Sequence, residues 1–195
     1  MSTISHSHEA HGIFALPLYT PEESAQVVAQ IRSLTTWASA EVVIQAGGEA
    51  HHVLAPETRS AQTLGREQAA EVHDDFERRV RSFVVPLIRE IWGVDLADSL
   101  GTQAVRYGAN GHYVPHTDAG EGDLADRYFT VLCYLNSDFE GGNTSFLSLD
   151  FSVTPRAGKA IVFPSRYLHC AEPVIRGEKF ALLTWICGPI PVKWI

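Results

Sequence analysis

Between Gly101 and Cys187 the chain breaks short runs of β-branched and aromatic residues with turn signals again and again, and this texture constrains the fold most. Glycines at 108, 111, 141, 142, 158 and 177 punctuate runs near 102–107, 113–117, 128–136, 144–148, 151–154, 159–163, 167–174 and 179–187. Such a series of short strands predicts a sandwich or a jelly roll. The part before it, 13–100, reads mainly helical. Thr20-Pro21-Glu22-Glu23 offers an N-cap and a first-position proline. Val27, Val28, Ile31 and Leu34 then follow at helical spacing. From Arg66 to Trp92, the residues Val72, Phe76, Val80, Phe83, Val84, Leu87, Ile88 and Ile91 share one broad face. Pro86 is expected to kink or split that helix. Glu41–Ile44 reads as a short strand, and the segment around Gly47-Gly48 and Pro56 as loop. These readings combine into a mainly β fold with supporting helices, the helices packed as a buttress on one sheet.

A chain of 195 residues suits one domain with one core. Within it, 1–12 is expected to be a flexible terminus, 13–100 a helical support and substrate-entrance region, and 101–187 the functional β core. His6, His8 and His11 lie in the first segment, where the alternative to a frayed end is a weak adventitious metal site. The formal net charge of −8 argues against a nucleic-acid footprint and against a polybasic membrane anchor. No apolar run approaches the ~18 residues of a membrane-spanning helix, and Met1 to Gly12 lacks the pattern of a secretory signal. Cys133, Cys170 and Cys187 show no CxxC spacing, so neither a disulfide framework nor a cysteine zinc site is expected. The expected setting is reducing and cytoplasmic.

The segment Tyr107-Gly-Ala-Asn-Gly-His112-Tyr113-Val-Pro-His116-Thr-Asp118 carries the chemistry. His116 and Asp118 stand two apart near a strand end, so both face the same way. One imidazole and one carboxylate can then meet a single ion, with His169 as the candidate third ligand. Two histidines and a carboxylate on one face of an octahedron leave positions open for a co-substrate and O2. A structural zinc site would instead close its coordination shell. Taken alone, the pair reads equally as a surface histidine beside an acid, and His169 as a satisfied core histidine. Lys179 changes the balance. It begins a strand on which Lys179, Ala181, Leu183 and Trp185 share a face, and a lysine turned inward needs an anionic partner. The bland alternative is a strand-end lysine that reaches solvent.

The motifs occur in a recognisable order: Tyr107…His116-x-Asp118, Arg127-Tyr-Phe-Thr-Val-Leu-Cys-Tyr134-Leu-Asn136, Gly141-Gly142-Asn-Thr144-x-Phe146, Val153-x-Pro155-x-x-Gly158-x-Ala160, and His169…Pro173-Val174-x-x-Gly177-x-Lys179. In these the chain, from about Gly101 to Trp185, resembles the prolyl-4-hydroxylase branch of the Fe(II)- and 2-oxoglutarate-dependent dioxygenases. The resemblance implies a double-stranded β-helix (jelly roll) with Fe(II) held by His116, Asp118 and His169. It implies 2-oxoglutarate and O2 as co-substrates, with ascorbate in a supporting role. It implies that Lys179 and Tyr134 bind the distal carboxylate of 2-oxoglutarate and that Tyr107 lines the same pocket. The reaction implied is hydroxylation of a C–H bond, with succinate and CO2 released. Tyr128, Thr130, Leu132 and Tyr134 alternate along one strand and are expected to turn one stripe toward the pocket. Asn143 departs from the glutamate that many collagen-type members carry there.

The substrate is expected to be a small molecule, amino-acid-like, or a short peptide-like unit. Arg59, Arg66, Arg127 and Arg166 are candidates to hold a substrate carboxylate, and Trp185 to wall the substrate. The loop from Ala119 to Asp126 reads either as a lid or as an ordinary acidic surface loop. Competing readings are desaturation or cyclisation with the same cofactors, and an inactive β-helix binding module. A cupin-type dioxygenase with an extra histidine ligand such as His112 is a further rival. The presence of Asp118 disfavours halogenation.

Overall fold

The computed structural model describes residues 5–46, 49–94 and 98–188. Two antiparallel sheets face each other. The larger has the strand order Ser7–Ala10, Ile13–Pro17, Lys159–Pro164, Arg127–Tyr134, Lys179–Cys187, Asp98–Tyr107, Gln62–Leu64, Ala38–Ser39. The smaller runs Phe151–Val153, Thr144–Phe146, His169–Ala171, His112–His116, Arg59–Ser60. Most neighbouring strands of each sheet come from distant parts of the sequence, which is the jelly-roll arrangement expected.

The two faces of the larger sheet have different tasks, and strand alternation assigns them. Along Arg127–Tyr134, Phe129, Val131 and Cys133 turn outward, and along Lys179–Cys187 so do Phe180, Leu182 and Ile186. These meet Val28 and Ile31 of the helix Pro21–Arg32 and Val72, Phe76, Val84 and Ile88 of the second helical segment. The outer face is thus the main hydrophobic core. The inner face carries Thr130, Leu132, Lys179, Ala181, Leu183 and Trp185 toward the smaller sheet.

The first helix starts as expected. Thr20 accepts from the Glu23 amide at 3.2 Å, the Glu23 carboxylate accepts from the Thr20 amide at 2.8 Å, and Pro21 opens the helix. The second helical segment is split, as Pro86 requires. Ala70–Arg79 passes through one wide π turn, Val80–Val84, into Val85–Trp92. Pro86 cannot donate to the carbonyl four residues back, and the Val85 amide instead reaches the Val80 carbonyl.

Several expectations need correction. Residues 13–100 are not mainly helical: they also hold the strands Ile13–Pro17, Ala38–Ser39, Val42–Ala46, Glu49–Val53, Arg59–Ser60 and Gln62–Leu64. Most are short pieces stabilised by the sheet edges they pair with, and they carry little periodicity of their own. The short strand expected over Glu41–Ile44 is present as Val42–Ala46, and it pairs in a hairpin with Glu49–Val53, where loop was expected, with Gly47 and Gly48 outside the described residues. The expected flexible terminus is strand at Ser7–Ala10, paired with Ile13–Pro17 and tied by an ion pair of 2.9 Å between Glu9 and Lys159. The single strand expected over 167–174 is two, His169–Ala171 and Val174–Arg176, separated at Pro173, which lacks a ladder donor.

Candidate metal and co-substrate site

The smaller sheet pairs His169 directly with His116, so two imidazoles from distant segments stand side by side with ring centroids 4.4 Å apart. Asp118 follows just beyond the end of the His112–His116 strand. Its carboxylate oxygens lie 3.6 Å from His116 Nε2 and 3.6 Å from His169 Nε2. Those separations exceed hydrogen-bond length. The donor atoms of the three residues lie within 4.8 Å of one another, the spacing of groups that could hold one ion. Among the described residues no other cluster of this kind occurs.

Hydrogen bonds aim each donor. Nδ1 of His116 lies 2.8 Å from the Val114 carbonyl and Nδ1 of His169 lies 2.9 Å from the Tyr167 carbonyl. A carbonyl only accepts, so each Nδ1 carries the proton and each Nε2 keeps its lone pair for a metal. The Thr130 hydroxyl donates to Asp118 Oδ2 at 2.7 Å and contacts the Ser165 hydroxyl at 2.9 Å. The Ser165 carbonyl accepts from the backbone amides of Asp118 and Ala119 at 2.9 and 3.1 Å. Tyr113 stacks on His116, and Phe163 meets His169 edge-on. Burial alone would raise the Asp118 carboxyl; His169, His116 and Thr130 reverse it and hold it well below the usual carboxylate range. Burial pulls the His169 imidazole down, only partly offset by Asp118. Both shifts favour the ligating forms, an ionised carboxylate and a neutral imidazole.

The triad opens into a cavity of about 380 Å³ between the two sheets. Lys179 lines the same cavity while 2 % exposed, and its Nζ donates to the Gly142 carbonyl at 2.7 Å. Gly142 has φ +64°, and a Cβ there would lie 3.3 Å from Lys179 Cδ, so the close approach of backbone to lysine needs glycine. No carboxylate forms an ion pair with Lys179 among the described residues. Burial drives its pKa down to about 7, with only a partial counter-effect from Glu172. A desolvated amine with one carbonyl acceptor, beside an open cavity, is a place for an anion. Chemically, then, the donor set suits a divalent iron and the lysine suits the far carboxylate of a 2-oxo diacid.

The other expected residues divide. Tyr107 is buried, lines the cavity and places its ring 5.3 Å from Lys179 Nζ. Tyr134 is fully buried behind the wall, and its hydroxyl donates at 2.8 Å to Thr144, which does line the cavity. Arg59, Arg127 and Trp185 line the cavity. Arg66 and Arg166 do not: Arg66 is engaged with Asp74 and Glu77 on the helical side, and Arg166 is exposed. The expected inward stripe fails at its first member. Pairing with Lys179–Cys187 shifts register between Arg127 and Phe129, and this bulge turns Arg127 into the cavity while Tyr128 packs on the outer core. His112 is not in the cluster; its ring nitrogens face the carbonyls of Asn110 and Glu57 at 2.9 and 3.3 Å. Sequence reasoning gave no role to Thr144, Gln103, Tyr113 and Cys170, all of which line the cavity. Leu124, from the loop beyond Asp118, and Glu41, Val43 and His52, from the hairpin side, complete its mouth. Cys133, Cys170 and Cys187 form no disulfide, and among the described residues no helix is long and apolar enough to cross a membrane.

Comparison with known proteins gives concordant results. Residues 102–187 match the family model of the 2OG-Fe(II) oxygenase superfamily. The chain is 31 % identical over 129 residues to the prolyl 4-hydroxylase subunit alpha-1 of Gallus gallus, covering 57 % of this chain and 25 % of that one. It therefore spans about a quarter of the length of that relative. In fold it is similar to a Pseudomonas putida prolyl-4-hydroxylase, with a TM-score of 0.72 at 20 % identity, covering 93 % and 95 % of the two chains. It is also similar to a Trichoplax adhaerens prolyl hydroxylase solved with a hypoxia inducible factor peptide fragment, with a TM-score of 0.72 at 17 % identity, covering 90 % and 83 %.

Proposed function

We propose, from the premise that residues 102–187 belong to the 2OG-Fe(II) oxygenase superfamily and are prolyl-hydroxylase-like, that this chain is an Fe(II)- and 2-oxoglutarate-dependent hydroxylase. The observation that carries the reading is the meeting of His116, Asp118, His169 and Lys179 around one cavity. His116, Asp118 and His169 hold the iron, and Lys179 holds the distal carboxylate of 2-oxoglutarate. When bound, these groups supply oxidation by O2: a substrate C–H becomes C–OH while 2-oxoglutarate becomes succinate and CO2.

The protein's own part is to bind, orient and keep dry. Val114 and Tyr167 carbonyls fix the imidazoles, and Thr130 with Ser165 fixes the carboxylate. Lys179 takes up its charge when the diacid enters, since the anion supplies the partner that burial denies it. Thr144, held by Tyr134, presents a hydroxyl to the same wall. Tyr107, Leu132, Phe163 and Ala181 exclude water around the chain of the co-substrate. The intact donor set argues against the inactive-module reading, and the place of His112 outside it removes the motive for the cupin-type one. The substrate is a small molecule or a short peptide-like unit, taken up at the mouth formed by Glu41, Val43, His52 and Leu124.

The test is a screen of amino acids, small metabolites and short peptides for substrate-dependent succinate release under labelled O2. One labelled oxygen in the product and one in succinate is expected. A product lighter by two hydrogens with no new oxygen would establish desaturation or ring closure instead. Turnover that needs no 2-oxoglutarate would overturn the assignment.

A further inference from the structure

We infer that the substrate carries a carboxylate, and that Arg127 and Arg59 bind it in the part of the cavity beyond the metal triad. This deepens the oxygenase reading and rests on it for the placement of 2-oxoglutarate at Lys179. The inference starts from two guanidinium groups in the wall of one cavity. An arginine withdrawn from water is costly unless an anion meets it; Arg59 is buried and Arg127 half-buried, and among the described residues neither forms an ion pair. Arg59 is 8 % exposed. Its terminal nitrogens donate to neutral acceptors, the Glu41 carbonyl at 3.0 Å and Gln103 Oε1 at 3.3 Å, and its plane lies over the Tyr113 ring. Arg127 lies 3.7 Å over Trp185 and reaches the Asp118 carbonyl only at 3.5 Å. Arg59 Nε, Arg127 Nε and Trp185 Nε1 are enclosed away from the cavity surface and have no acceptor, so a ligand in the cavity would be met by the terminal nitrogens of the two guanidinium groups.

Charge points the same way. The carboxylates lining the cavity are Asp118, committed to the triad, and Glu41, which is exposed at the mouth and lies 3.5 Å from His52. Once a divalent metal, Asp118, the dianion of 2-oxoglutarate and the Lys179 ammonium are counted, their charges cancel. The two arginines remain as surplus positive charge. A neutral peptide would offer carbonyl oxygens but leave that charge unanswered, whereas a carboxylate matches a guanidinium in charge and in fork geometry. The cavity of about 380 Å³ sits near the lower end of the range for ligand sites, roughly 300–1,000 Å³. A free amino acid and an acidic side chain on a peptide share this chemistry.

The test uses the whole chain loaded with Mn(II) and saturating 2-oxoglutarate, without O2, and reads paramagnetic broadening of probe signals by NMR. The probes are free L-amino acids including L-proline, their primary amides, a neutral blocked proline peptide and blocked peptides containing aspartate or glutamate. Acids are expected to bind at least about tenfold more tightly than the matching amides. Arg127→Gln and Arg59→Gln should each bring the ratio of acid to amide affinity toward one. That ratio would not move if the arginines merely supported the fold. Free amino acids or acidic peptides on the favoured side would identify the source of the carboxylate. Equal binding of amides and neutral peptides, no binding of any acid, or an unchanged ratio in both variants would overturn the inference while leaving the oxygenase reading intact. Failure of the chain to bind 2-oxoglutarate with Mn(II) would remove both.

Discussion

Replacing Lys179 with methionine separates what the residue does for the co-substrate from what it does for the fold. The side chain is 2 % exposed and has one acceptor, the Gly142 carbonyl at 2.7 Å, for its three donors. Methionine keeps the length and discards the charge. A charge-assisted hydrogen bond in a dry site contributes about 1.5–3 kcal/mol, so 2-oxoglutarate affinity should fall by about one to two orders of magnitude. Without ligand the same variant should be more stable, because the unpaired amine is gone. Its advantage depends on pH with a definite sign. The folded-state pKa of Lys179 is depressed to about 7, so the charged, destabilising form dominates the folded state below that pH. Above it the unfolded chain binds the extra proton, and wild-type stability recovers as pH rises toward the ordinary lysine value. The thermal advantage of Lys179→Met should therefore be largest at or below pH ~7 and shrink in alkali, read at about 2–4 °C per kcal/mol for a chain of this size. Calorimetric titration with 2-oxoglutarate and melting curves across pH measure both effects. Unchanged 2-oxoglutarate affinity, or a variant less stable at every pH, would refute the reasoning.

Three further outcomes are expected. Thr130→Val removes the hydroxyl that donates to Asp118 at 2.7 Å, and metal affinity measured against a competing chelator should weaken about 10–100-fold with little change in folding. In the wild type, 2-oxoglutarate binding should weaken as pH rises above about 7, by up to about tenfold per unit, because the amine must first regain a proton; in Lys179→Met this dependence should vanish. Gly158→Ala should destabilise by about 2–5 kcal/mol in a denaturant titration: φ there is +80° and a Cβ would overlap the Tyr19 carbonyl oxygen.

The β core was legible because its residues obey one rule throughout. Runs such as Lys179–Cys187 alternate between the helical core and the cavity, so the sequence displays both the strand and its two faces. The helix start at Thr20 was legible because capping is local chemistry. His116, Asp118, His169 and Lys179 could be picked out by spacing and motif order, although only tertiary pairing places His169 opposite His116. What escaped reading depends on partners far along the chain. Ser7–Ala10 and Arg59–Ser60 are strands by virtue of the edges they join. The bulge after Arg127 exchanges the facing of Arg127 and Tyr128, and a strict period of two hides this. Nothing in the spacing of Arg66 and Arg166 distinguished them from Arg59 and Arg127. The sorting of the four arose from helix packing and sheet pairing.

The central claim is that His116, Asp118 and His169 hold one iron to which 2-oxoglutarate then binds. Anaerobic titration of the wild-type chain and His169→Ala with Fe(II), at saturating 2-oxoglutarate, tests it most directly. The wild type should develop a visible absorption band that saturates at one iron per chain and is absent with either component alone, while His169→Ala should show no band. An undiminished band in His169→Ala, or a wild-type chain that binds iron without any response to 2-oxoglutarate, would contradict the account.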